Sequence, residues 1–149
     1  MFHKITAAID GSPTSIKALD EAAHIAAQDK AELHIITAIV PLPLFLAGAT
    51  SSPVNEVHIS TQTQYYQKLH HTQEHRLHQT YPDLKITTTI KEGRAATVIK
   101  EAATDSDLIV IGHRGQSGIE THILGSVAKE LLDQCTSPVL IIKDPTCQP

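Results

Sequence analysis

Leu108-Ile109-Val110-Ile111 runs without a break into Gly112-His113-Arg114-Gly115-Gln116-Ser117-Gly118, and after a short segment Leu124-Gly125-Ser126-Val127 follows. Four consecutive apolar residues predict a strand covered on both faces, because a strand with one wet face alternates instead. The glycines end it. Beyond them, Ala128, Leu131, Leu132 and Cys135 fall on one face of a helix, and Pro138 stops that helix before a further apolar run, Val139–Ile142. Strand, glycine-rich loop, helix and strand in succession form the repeating unit of a parallel α/β sheet.

The same alternation extends to the start of the chain. Apolar runs at Ile5–Ile9 and Leu33–Val40 predict two more covered strands, and Ile86–Ile90, with three threonines between its isoleucines, predicts an edge strand. Ser12 is placed to cap a helix with Pro13 in its first turn, and Ile16, Leu19, Ala23 and Ala26 give that helix an apolar face. Ala95, Val98, Ile99 and Ala102 do the same for another. From Glu56 to Tyr81 a longer, more polar helix has a thin buried face of Tyr66, Leu69, Gln73 and Leu77, and Pro41–Pro53 before it reads as an irregular loop. Five parallel strands with helices on both faces make a doubly wound α/β fold, in one domain spanning residues 1–149. Its ligands belong beyond the carboxyl ends of the strands, where strand order reverses.

Composition narrows the function. A formal charge of −4 and only five aromatic residues argue against a nucleic-acid partner, which wants a basic surface and stacking platforms. No apolar run is long enough for a membrane span. The first residues carry no basic, then apolar, leader pattern, and Cys135 and Cys147 form no disulfide framework, so the expected location is the cytoplasm. Ten histidines are the oddity: protonating all of them would carry the net charge from −4 to +6.

Two strand ends carry chemistry. The first run ends in Asp10-Gly11-Ser12, and the fourth in the spacing Gly112-x2-Gly115-x9-Gly125-Ser126. Glycines accept positive φ and let backbone amides approach a ligand, while Gly125 and Ser126 open a helix whose first N–H groups and dipole face the same space. Together they form an anion cradle suited to phosphates. Ser126 adds a hydroxyl, to a phosphate or as the helix cap, and Arg114 supplies a cation for a terminal phosphate. The spacing is neither a Walker A loop nor GxGxxG.

This glycine pattern, with Asp10-Gly11-Ser12 after the first strand and Pro138-Val139-Leu140-Ile141-Ile142 at the end, resembles the nucleotide-binding branch of the universal stress protein family. The resemblance covers Lys4 to Lys143. It implies a sheet of order 3-2-1-4-5, ATP (or ADP or AMP) as ligand, and a homodimer formed through the last strand. It also implies adenine and ribose contacts at Ala8, Asp10, Ala38, Ile111 and Gly112, and phosphate contacts at Gly115, Gln116, Ser117, Gly125, Ser126 and Val127. Ala8 and Ala38 offer a base little apolar surface, so phosphate is the firmer end. Leu42, Leu44, Phe45 and Leu46 either close over the base or form an ordinary surface or dimer contact.

A carboxylate beside an anionic ligand repels it unless it binds ribose hydroxyls or a cation. Asp10 therefore predicts a Mg²⁺ or Mn²⁺ bridge to the phosphates; the rival reading has it cap the Gly11–Ser12 turn. No dedicated general base stands out, so ATP hydrolysis is expected to be slow at most and a binding and signalling role fits better. A different function rests on His71, His75 and His78, which share a helix face and would chelate a transition metal such as Zn²⁺ or Ni²⁺; the plainer reading is a solvated polar face. His24, His34, His58 and His122 read as surface or boundary residues.

Overall fold

A computed structural model describes residues 1–43, 53–114 and 124–143. The strands are β1 (Lys4–Ala8), β2 (Glu32–Ile39), β3 (Ile86–Glu92), β4 (Leu108–Gly112) and β5 (Val139–Ile142), all parallel and ordered β3-β2-β1-β4-β5. Among the described residues four helices cover the sheet: α1 (Pro13–Asp29), α2 (Pro53–Thr80), α3 (Ala95–Ala102) and α4 (Ser126–Gln134). The expected doubly wound fold and strand order are both present.

Side-chain alternation in the central strands builds two cores. Ile5, Ala7, Leu33 and Ile35 pack with Leu19, Ala22 and Ala26 of α1 and Leu77 of α2, and on the opposite face Ile36, Ile109 and Ile111 pack with Val98 and Ile99 of α3 and Leu131 of α4. Small residues on α1 let it ride close to the sheet. Gly112 shows how close: a Cβ there would lie 3.0 Å from the backbone of Thr14. At the edge, β3 exposes its three threonines, as its composition requires.

Ser12 caps α1 as expected, its hydroxyl accepting the Ser15 N–H at 3.3 Å with Pro13 at the first helical position. The long helix starts at Pro53, earlier than the apolar pattern placed it. Leu132 departs from its expected stripe and is 49% exposed, because a nine-residue helix covers the sheet with Ala128 and Leu131 alone. Leu44, Phe45, Leu46, Gly115, Gln116, Ser117, His122 and Cys147 lie outside the described residues.

Candidate functional site

β1 and β4 are neighbours, yet β1 connects onward to β2 on one side and β4 to β5 on the other. The two connections part above the sheet and leave a crevice, as they must wherever strand order reverses. A cleft of about 280 Å³ lies there. Its floor and walls are apolar: Ala8 from β1, Ile36 and Ala38 from β2, Ile111 from β4, and Ala95 and Ile99 from α3. Its rim is polar, with Asp10, Ser15, His113 and Arg114 facing Ser126 at the start of α4.

Of the residues expected at the site, Ala8, Asp10, Ala38, Ile111, Gly112, Arg114, Gly125, Ser126 and Val127 all line this one cleft. Five further apolar liners, Ile9, Ile36, Ala95, Ile99 and Ala128, escaped sequence reasoning. Ile36 was legible in principle, since it sits two residues before Ala38 and so on the same sheet face. Ile99 and Ala95 were not, because nothing local says which helix roofs the cleft. These residues supply the apolar surface that Ala8 and Ala38 lack, while the two alanines leave the room.

The glycines work differently from the expectation. Among the described glycines only Gly11 and Gly93 hold positive φ. Gly112 is needed for the approach of α1, and Gly125 because a Cβ there would stand 3.2 Å from the His113 carbonyl, which accepts the Gly125 N–H at 3.1 Å. Close packing of the two rim segments is the requirement, not an unusual backbone angle. The helix cap also differs: Gly125 occupies the N-cap position of α4 with no side chain to offer, and Ser126 is the first helical residue, its side chain exposed. Ser126 is therefore not the cap.

Asp10 Oδ1 accepts the Ser12 N–H at 2.9 Å, so it does close the Gly11–Ser12 turn. The Asp10 N–H in turn donates to Ser15 Oγ at 3.3 Å, and that hydroxyl donates to the Ser12 carbonyl at 2.8 Å. The carboxylate is held at the cleft rim by its own backbone. Across from it, His113 is 7% exposed with Nδ1 buried and without a hydrogen-bond partner among the described residues, as is Arg114 Nε. Burial, then the charges of Arg114 and Lys143, hold His113 below the usual imidazole range. The rim beside Asp10 thus carries the positive charge of Arg114 and two buried nitrogens with no hydrogen-bond partner among the described residues.

The model of the universal stress protein family matches residues 1–143. The chain belongs to that family. It is 32% identical over 151 aligned residues to universal stress protein YxiE of Bacillus subtilis, the alignment covering 96% of this chain and 100% of the relative. Its fold matches the universal stress protein UspA from Lactobacillus plantarum with a TM-score of 0.81 at 20% identity, covering 94% of this chain and 97% of the other. It also matches a universal stress protein in complex with cAMP, TM-score 0.62 at 24% identity, covering 95% and 97% of the two chains. At those identities the structural likeness is one of fold.

The histidines of this universal stress protein do not behave as one group. His71 and His75 are exposed on α2, whereas His78 is half-buried and its Nε2 meets the Leu84 carbonyl at 3.1 Å. Among the described residues no three His, Cys, Asp or Glu side chains gather as metal ligands would. His34 is not a surface residue: it is 9% exposed, with Nε2 2.9 Å from Thr89 Oγ1. His70, which the sequence reading passed over, is 3% exposed between α2 and the sheet. A position four residues after Tyr66 on the thin apolar face was the available signal. No helix among the described residues is long and apolar enough to cross a membrane.

Proposed function

We propose that this universal stress protein binds an adenine nucleotide (ATP, or its relatives ADP and AMP) together with Mg²⁺ or Mn²⁺ at the β1/β4 crevice, and serves as a nucleotide-dependent stress and signalling module. One observation supports the reading above all. Every described residue expected at the nucleotide site, from Ala8 to Val127, lines a single cleft with an apolar floor and a polar, cationic rim. The volume of about 280 Å³ is at the small end of ligand pockets, roughly 300–1,000 Å³, and suits a flat base with its phosphates reaching out over the rim.

In this reading the base lies among Ile36, Ile99 and Ile111 over the two alanines. The phosphates meet the first N–H groups of α4, which have no partners within the helix and stand at the positive end of its dipole. Arg114 adds charge and a planar donor set, and Gly115, Gln116 and Ser117 would extend the cradle. Asp10 would hold the divalent cation, whose charge lets a carboxylate and a polyphosphate share one rim. The chain's own groups bind and orient here; nothing in the reading assigns a base to activate water, and hydrolysis is at most slow. The half-buried edge strand β5 and the exposed Leu132 support pairing of two copies along that edge, and the protein is placed in the cytoplasm.

Mass spectrometry of the small molecule released from untreated, freshly purified protein tests the reading. An adenine nucleotide is expected, and cAMP, the ligand of one structural relative, is the informative second outcome. A flavin, or nothing together with no calorimetric uptake of Mg-ATP, overturns it. Ser126→Ala should weaken Mg-ATP binding by about 1–2 kcal/mol, the scale of one hydrogen bond to a charged group.

A further inference from the structure

Behind the cleft, on the opposite sheet face, lies a short polar relay. Thr37 sits between Ile36 and Ala38 of β2, so its side chain leaves the sheet on the α1/α2 side. Its hydroxyl donates to the Ile9 carbonyl at 2.7 Å, and the same oxygen lies 2.7 Å from His70 Nε2. A carbonyl has no proton to give, so the threonine's single proton is committed to Ile9. His70 Nε2 must then carry the proton of the second bond, which fixes the imidazole tautomer and leaves Nδ1 bare. Nδ1 is buried with no hydrogen-bond partner among the described residues.

The Ile9 carbonyl and the Asp10 N–H belong to one peptide group. That group is gripped at both ends, by Thr37 on its oxygen and by Ser15 Oγ, 3.3 Å away, on its nitrogen. The Ser15 grip comes from α1 and the Thr37 grip comes, by way of His70, from α2. Turning the peptide breaks both bonds and swings the Asp10 carboxylate away from the rim. Tyr66, one helical turn before His70, also stands near Asp10, close enough that the carboxylate adds to burial in raising its phenol.

We infer that His70 is a positioning residue for the cleft: through Thr37 it fixes the Ile9 carbonyl, and with it the peptide that carries Asp10. The energetics point the same way. A buried imidazole with one nitrogen unsatisfied is a poorer core residue than leucine, because the orphaned acceptor loses its water. What imidazole supplies and leucine cannot is the Nε2–H at the right distance. The inference rests on the nucleotide reading for its consequence, though not for its geometry.

The test compares His70→Leu, which removes the donor, with His70→Gln, whose amide nitrogen reaches about as far as Nε2. Two quantities are read in the full chain: calorimetric affinity for Mg-ATP, and hydrogen exchange of the Asp10 amide relative to that of Ile35 in the middle of β2. In His70→Leu, affinity should fall and relative Asp10 exchange should rise, each about ten-fold, with His70→Gln returning both to within about three-fold of the parent. A change in overall stability alone moves both amides together and leaves their ratio at the parent value. An unchanged ratio in His70→Leu, or failure of glutamine to restore it, overturns the inference. If the parent takes up no nucleotide, the reading of the cleft fails and the Asp10 ratio alone decides. Should His70→Leu not fold, His70→Asn replaces it. Its shorter amide stops near the Nδ1 position, so asparagine should behave as a loss and glutamine as the parent, and equal ratios in the two overturn the inference.

Discussion

The two ends of the sheet treat polar groups in opposite ways. At the amino ends of the strands, carboxylates are consumed by the backbone and by lysines. Asp107 accepts the N–H groups of His3 and Lys4 at 2.6 and 3.1 Å, Asp29 accepts that of Phe2 at 2.6 Å, and Lys4 and Lys85 pair with Asp105 and Glu32. These partners, His3 and Lys4 backbone for Asp107, Lys4 for Asp105 and Lys85 for Glu32, hold each carboxyl below its ordinary range. At the carboxyl ends, small side chains leave a hollow, and a buried nitrogen on each of His113 and Arg114 has no hydrogen-bond partner among the described residues. The first end is finished by folding. The second is left with unspent hydrogen-bonding capacity, which is what a ligand requires.

The largest expected effect breaks the hollow itself. Ala38→Phe fills the slot from β2 and should weaken Mg-ATP binding by about two orders of magnitude or more, roughly 3 kcal/mol, while the protein stays folded; calorimetry beside circular dichroism checks it, and retained affinity would move the base elsewhere. Next comes a pH dependence that belongs to the buried histidines. Burial, with a smaller push from His34, takes His70 down to about 4 from its ordinary 6.5. The unfolded chain therefore binds a proton that the folded chain refuses. Stability from this group is complete above pH 6.5 and is lost as pH falls toward 4, about 3 kcal/mol across that window. His34, also lowered by burial, adds in the same direction. Urea midpoints at stepped pH should show the fall, and His70→Gln should flatten it.

A smaller effect separates packing from ligand contact. Gly112→Ala places a methyl against Thr14 at 3.0 Å and should cost about 1–3 kcal/mol of stability without any nucleotide present; a loss of binding with no loss of stability would return Gly112 to the role of ligand contact. The smallest effect sharpens the contrast from the other end. Asp107→Asn should lower the thermal midpoint slightly and leave Mg-ATP affinity unchanged, because its partners are the strand starts, far from the cleft. Its stability contribution, unlike that of His70, should vanish only below the ordinary aspartate range, near pH 3.8 and under.

The continuous apolar runs specify strands covered on both faces, and Ser12-Pro13 specifies where the first helix starts. The threonines of Ile86–Ile90 mark an edge. Each of these follows from local chemistry, period and capping, and each is present in the fold. Asp10, Arg114 and the glycines could likewise be singled out, because residues with special backbone or charge properties sit at the strand ends. Ile99 and Ala95 could not be assigned to the cleft in this way, since membership depends on which helix packs over which strand.

By itself the sequence determined the alternation of strands and helices, the end of the sheet where Asp10, Arg114 and the glycines gather, and the family to which the chain belongs. Only the tertiary structure decided what each residue does there. Gly112 and Gly125 are small because α1 and the His113 carbonyl stand against them, and Ser126 leads its helix without capping it. His70 and Thr37, separated along the chain, meet behind the Ile9 peptide. Local patterns follow from backbone period and side-chain solubility, which are readable one residue at a time. Close approaches depend on where distant segments come to rest, and no local pattern carries that information.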